Sequence, residues 1–105
     1  MEFIETPIFT SQVGRLLSDE EYRGLQLALG LRPGQGAVIR GGGGIRKVRW
    51  RQPGTGKRGG VRVIYYWATA EATIFMLFIY PKTQQSDLTK EQLKVLRRLV
   101  EEEFK

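Results

Sequence analysis

Residues 45–51 read Ile-Arg-Lys-Val-Arg-Trp-Arg, and this stretch indicates both the fold class and where the charge of the chain lies. Its alternation of side chains is typical of a β-strand, because successive residues of a strand point to opposite faces of the sheet. One face would carry Ile45, Lys47, Arg49 and Arg51, and the other would carry Arg46, Val48 and Trp50. The alternation therefore predicts a strand with a row of cations on one face.

Two further strands follow this one along the chain. Residues 61–69 are rich in β-branched and aromatic residues, and residues 73–80 are apolar without alternation. A strand that is apolar on both faces belongs in the middle of a sheet that is covered on both sides. Residues 52–60, with one proline and four glycines, would form a hairpin connection, so we expect an antiparallel meander of three strands.

Helices are predicted on both sides of the meander. Phe3 and Ile4 suggest a short first strand, and apolar residues at helical spacing then occupy roughly residues 8–31. Ser18, followed three residues later by Glu21, matches a capping box, which divides this region into two helices. A second capping box, from Thr89 to Gln92, precedes a last amphipathic helix.

The expected architecture is a single α+β domain over residues 1–105, with three helices and about four strands in an antiparallel-dominated sheet, in the order β-α-α-β-β-β-α. The longest apolar run, residues 74–80, is too short to cross a bilayer. The first residues carry acids where a signal peptide would carry lysines. We therefore expect a cytoplasmic protein without a membrane partner.

The positive charge is concentrated in one segment. The net charge is +6, and residues 40–67 contain eight Lys and Arg but no Asp or Glu. Cations at alternate positions of a strand lie about 7 Å apart, close to the phosphate spacing of a nucleic-acid strand. An edge strand protected by charge against aggregation is the structural alternative. Phosphate binding explains better why arginine dominates and why carboxylates are excluded.

The chain has no cysteine and no histidine. It therefore lacks disulfides, thiolate ligands, the usual zinc ligand and the usual general base. This composition predicts neither a metal site nor a cofactor, and it excludes Ser-His and Cys-His catalysis.

Several segments together resemble the RelE superfamily in its HigB-like branch. They include residues 43–50 (Gly-Gly-Ile-Arg-Lys-Val-Arg-Trp) and residues 56–66 (Gly-Lys-Arg-Gly-Gly-Val-Arg-Val-Ile-Tyr-Tyr). Residues 79–82, 87–89 and 17–22 are similar to the same branch, so the resemblance covers nearly the whole chain. It implies a RelE-like fold and a bacterial toxin of a toxin–antitoxin pair. Such proteins cut messenger RNA in the ribosomal A site without metal, usually leaving a 2′,3′-cyclic phosphate.

The resemblance also implies a set of site residues. The candidate catalytic residues are Lys47, Arg49, Lys57, Arg62, Tyr80 and Lys82, and the candidate RNA-binding residues are Arg40, Arg46, Arg51 and Arg58. Arg62 is the expected phosphate clamp, since arginine donates bidentate hydrogen bonds but is not a base. The family's best-known member has an arginine and a catalytic tyrosine roughly where Thr83 and Thr89 stand here. Acid–base roles are therefore open among Lys57, Tyr80 and Lys82.

The partners follow from the same resemblance. We expect mRNA on the ribosome and a cognate antitoxin, of a helix-turn-helix, HigA-like kind, to bind a toxin that is monomeric on its own. As a family, HigB-like proteins are held by the antitoxin away from the active site, which favours steric exclusion over direct blocking. Two other functions remain open: a basic module that binds RNA or the ribosome without cutting, and an inactive partner of an antitoxin.

Overall fold

The computed structural model describes residues 1–50 and 60–104. Within these ranges the chain forms three helices and five strands, in α+β arrangement. The elements are β1 (Glu2–Glu5), α1 (Pro7–Leu16), α2 (Asp19–Leu31), β2 (Ala37–Val38), β3 (Ile45–Trp50), β4 (Val61–Ala68), β5 (Thr73–Pro81) and α3 (Lys90–Phe104). None of the helices in the described ranges is long and apolar enough to span a membrane.

The strands form one sheet in the order β1-β5-β4-β3-β2. Strands β2 to β5 pair antiparallel in sequence order, whereas β1 pairs parallel with β5. The three strands of the predicted meander, β3, β4 and β5, are therefore the inner strands, and β1 and β2 are the edges. The predicted α+β, antiparallel-dominated sheet is confirmed. The short strand β2 was not predicted, because its two residues lie in a glycine-rich stretch without a visible period.

The helices cover both faces of the sheet. On one face, Phe9 and Val13 of α1 and Leu25 and Leu29 of α2 pack in a core cluster. On the other face, Leu96 and Val100 of α3 pack in a second cluster. Both predicted capping boxes are present, at Ser18–Glu21 before α2 and at Thr89–Gln92 before α3. The helix boundaries thus follow local signals, and the apolar periodicity decides which face each helix buries.

Strand β5 contains a bulge at Leu77. The pairing of β4 with β5 shifts between Ile64 and Tyr65, so that Leu77 is an extra residue in β5. A bulge of this kind puts two consecutive side chains on one side of the sheet. Leu77 and Phe78 accordingly both join the cluster under α3. The carbonyl of Leu77 accepts a hydrogen bond from Thr6 Oγ1 at 2.8 Å, which ties the start of α1 to the bulge.

Two buried tyrosine hydroxyls differ in their bonding. Tyr65 donates to the carbonyl of Pro33 at 2.7 Å and accepts from the amide of Gly36 at 2.9 Å. A Cβ at Gly36 would lie 2.8 Å from the Tyr65 hydroxyl, so this close approach needs glycine. The hydroxyl of Tyr80, in contrast, is buried and has no hydrogen-bond partner within the described part of the chain.

We expect this difference to appear in stability. Tyr65→Phe should lower the free energy of unfolding by about 1–3 kcal/mol, because it leaves buried backbone groups without a partner. Tyr80→Phe is the matched control and should leave stability unchanged or raise it, since it removes a buried hydroxyl that makes no bond. Urea unfolding followed by fluorescence measures both, and equal losses for the two variants would contradict the assignment.

Candidate functional site

Three candidate residues form a row across the sheet on the face that carries α3. Arg49 of β3 lies opposite Arg62 of β4, and Arg62 lies opposite Tyr80 of β5. Lys47 lies two residues before Arg49 on the same face, opposite Ile64. The strand alternation therefore brings Lys47, Arg49 and Arg62 together, as the sequence predicted; we call these three residues the cation cluster.

The two arginines differ in exposure. Arg49 is exposed, whereas Arg62 retains only 5% of its accessible surface. Like charges directly opposite on neighbouring strands destabilise a sheet, and burial strengthens their interaction because the local dielectric is lower. An anion bound between Arg49 and Arg62 would relieve this repulsion.

One carboxylate reaches the cation cluster from outside the basic segment. Asp87, in the connection between β5 and α3, accepts a hydrogen bond from Lys47 Nζ at 2.9 Å. The hydrogen bond from Lys47 is the main cause that holds the pKa of Asp87 below its usual value of 3.8, and the amide of Leu88 is the next. The positive charges of Lys47 and Arg62 lower this pKa further. Asp87 is therefore ionised at neutral pH.

Asp87 is held in place by the start of α3. Its Oδ1 accepts the Leu88 amide at 2.9 Å, and its carbonyl accepts from Gln85 Nε2 at 2.8 Å. The same Gln85 amide donates to Gln92 Oε1, and Gln92 completes the capping box of α3. A connected set of hydrogen bonds thus fixes the carboxylate relative to the helix.

Tyr80 is the third residue of the row, next to Arg62. Its side chain is 0% exposed, so its ring cannot stack on a base in this conformation. Burial raises the pKa of Tyr80 above 10.0, and the charge of Asp87 raises it further, whereas Arg62 lowers it. The hydroxyl therefore keeps its proton at neutral pH, so it can donate or accept a hydrogen bond but does not serve as a phenolate base.

The other candidates are spread more widely. Lys82 is exposed just after β5, at the same end of the sheet as Arg62, and its amide bonds the carbonyl of Gly60. Arg40 is exposed in the loop before β3, at the opposite end of that strand from Arg49. Arg51, Lys57 and Arg58 lie outside the described residues.

Arg46 points to the other face of the sheet and has a structural partner there. Its Nη1 donates to the carbonyls of Gly34 at 3.1 Å and Gly36 at 2.8 Å. Together with Tyr65, it fixes the turn before β2. In β3, Arg46 lies on the opposite face of the sheet from Lys47 and Arg49, as the sequence alternation predicts. It is therefore not part of the cation cluster.

The chemistry available at the cation cluster is that of an anion site. Two guanidinium groups and an ammonium group can bind a phosphate and stabilise charge that develops on it. Within the described ranges, no group of three or more acidic, His or Cys side chains could hold a metal ion. Asp87 is the site residue that sequence reasoning missed as a functional group. The cationic row did imply a compensating anion, but nothing in the chain pattern located it 40 residues away from Lys47.

Comparison with known proteins identifies the family. The family model described as "RelE toxin of RelE / RelB toxin-antitoxin system" matches residues 33–105, which include every strand of the cation cluster and α3. The chain therefore belongs to the RelE toxin family.

A solved structure shows the same fold. The protein resembles a chain in the crystal structure of the intact E. coli RelBE toxin–antitoxin complex, with a TM-score of 0.59 and 16% sequence identity. The match covers 76% of this chain and 94% of that chain. The predicted RelE-like fold is confirmed, and the HigB-like branch stays a prediction.

The ion pair at Asp87 can be tested by titration. In Lys47→Gln, the pKa of Asp87 should rise toward 3.8, because the main cause of its lowering is removed. Since the folded-state pKa lies below the unfolded one, any stability from this pair is present above pH 3.8 and lost as the pH falls through the folded-state pKa. Carboxyl NMR measures the midpoint, with Lys94→Gln on the exposed side of α3 as the control. An unchanged midpoint in Lys47→Gln would show that the pair does not form in solution.

Proposed function

We propose that this protein is a toxin that cleaves messenger RNA in the ribosomal A site, as a metal-independent endoribonuclease, and thereby stops translation. The observation that carries the proposal is the cation cluster, with Arg49 and Arg62 directly opposite on neighbouring strands and Lys47 beside them. Membership of the RelE toxin family supports the toxin function.

The proposed reaction is attack of a ribose 2′-oxygen on the adjacent phosphorus. The P–O5′ bond breaks, a 2′,3′-cyclic phosphate forms, and the 2′-hydroxyl proton passes to a base while the 5′-oxygen receives a proton. The phosphate gains negative charge in the transition state, and Arg49 and Arg62 are the groups that we propose stabilise this charge by hydrogen bonds. Fixed cations supply the charge that a metal ion would supply in other nucleases.

The acid–base groups are proposed from what lies at the site. Lys47 and Lys82 are the ammonium groups at the same end of the sheet as Arg62, within reach of solvent. Lys57 stays a candidate outside the described residues. Tyr80 stays a candidate for the proton donor; its ring is buried next to Arg62, on the neighbouring strand of the row.

We propose further that a cognate antitoxin neutralises the protein. The solved relative is a complex of a toxin with its antitoxin, which supports a partner of this kind. A helix-turn-helix, HigA-like antitoxin that binds away from the cation cluster and excludes the toxin from the ribosome by its bulk remains our expectation. In the complex, Lys47, Arg49 and Lys82 should then stay open to chemical labelling.

The test of the activity uses ribosomes programmed with a defined mRNA. The wild-type protein should release fragments with a 2′,3′-cyclic phosphate, and Arg62→Ala and Arg49→Ala should each lower the cleavage rate by about 100- to 1,000-fold, the usual loss when one charge-stabilising group is removed. A 2′-deoxy nucleotide at the cut position should stop cleavage.

The matched control is Arg23→Ala, which removes an exposed arginine from α2 on the opposite face of the sheet. It should cleave at the wild-type rate. Circular dichroism checks folding; if Arg62→Ala unfolds, the exposed Arg49 still tests the site. Binding to ribosomes without any cleavage by the wild-type protein would favour the non-catalytic module instead.

A further inference from the structure

Asp87 is the acidic group that meets the cation cluster. Its carboxylate lies 2.9 Å from Lys47 Nζ, and the charge of Arg62 also lowers its pKa. A carboxylate in this position neutralises part of the positive charge of Lys47, Arg49 and Arg62. An RNA phosphate bound by the same ammonium group would have to take the place of Asp87.

We propose that the Asp87 carboxylate occupies the position of an RNA phosphate in the free protein. RNA binding then exchanges this carboxylate for a phosphate at Lys47. The inference rests on the proposed function, since it concerns the same site and takes RNA as the ligand. Beyond the proposed function, it specifies that one RNA phosphate binds at Lys47 and that the Asp87 carboxylate competes with this phosphate.

The exposure of the pair favours such an exchange. The side chains of Lys47 and Asp87 retain 31% and 70% of their accessible surface, so water and an incoming strand can reach both. Exposed ion pairs are weak, because solvent screens them. A phosphodiester that contacts Lys47 together with Arg49 and Arg62 makes charge-assisted bonds to several cations, whereas the Asp87 carboxylate bonds Lys47.

The attachment of Asp87 limits where the carboxylate can go. Its backbone is tied through Gln85 and Gln92 to the start of α3, so exchange needs a change in side-chain rotamer and leaves the helix in place. The same Oδ1 accepts both Lys47 Nζ and the Leu88 amide, so a rotamer change that releases Lys47 also gives up the bond to Leu88. Because the backbone of Asp87 stays tied to the start of α3, the site can still open without local unfolding.

The test measures binding of a single-stranded RNA oligonucleotide with 2′-O-methyl riboses, which attack by the 2′-oxygen cannot cleave. Fluorescence anisotropy gives the affinity at several salt concentrations. Asp87→Asn should bind about two- to fivefold more tightly than the wild type, the range of one exposed ion pair. The slope of log affinity against log salt should stay close to that of the wild type, because the same phosphate contacts Lys47 in both proteins.

Two controls separate local exchange from net charge. Glu71→Gln removes one negative charge at the turn between β4 and β5, at the other end of the sheet, and should change affinity less. In a Lys47→Gln background, Asp87→Asn should bring no further gain, because the group for which the carboxylate competes is gone.

The outcomes are distinct. A gain for Asp87→Asn that requires Lys47 supports the exchange. A gain equal to that of Glu71→Gln, or one that persists without Lys47, would show a long-range charge effect and overturn it. Weaker or unchanged binding would show that Asp87 helps to hold RNA or does not compete, which also overturns it. If the wild-type protein binds no RNA, the exchange is wrong, while the ribosome assay still decides the proposed function.

Discussion

Covering two arginines that face each other across neighbouring strands with an apolar helix would cost a large desolvation energy. Arg49 and Arg62 occupy such a position, and the face they share also carries the cluster under α3. The helix therefore covers the part of this face that is lined by residues such as Ile45 and Leu77, and its first turn begins only at Lys90. At the end of the sheet that holds the cations, Arg49 is exposed and Arg62 is buried, and the connection from β5 to α3 passes beside them with Asp87.

Strand β5 links this charged end to the core. The bulge at Leu77 puts two consecutive side chains, Leu77 and Phe78, under α3, and beyond it Tyr80 lies directly opposite Arg62. A change in the register of β4 and β5 would move Arg62 to the other face, since successive side chains alternate. The packing of the strand interior thus determines the geometry of the site.

Much of this could be predicted from the sequence, because the signals are local. The alternation of β3 placed Lys47 and Arg49 on one face, and the capping boxes located the starts of α2 and α3. Strand β2 could not be predicted, because its sequence has no periodic pattern. The parallel pairing of β1 with β5 could not be predicted either, because it joins segments about 70 residues apart. Asp87 and the burial of Tyr80 depend on how a loop and a helix lie over the sheet, and neither follows from residue spacing.

The parallel pairing of β1 with β5 has a consequence for the order of events during synthesis. Glu2 to Glu5 leave the ribosome before their partners, Thr73 to Met76, which follow about 70 residues later. Contacts between such distant segments form late, because a long loop must close before they are made. A nascent chain accordingly carries β1 as an unpaired strand until β5 emerges, and the carboxylate of Asp87 reaches Lys47 only after that.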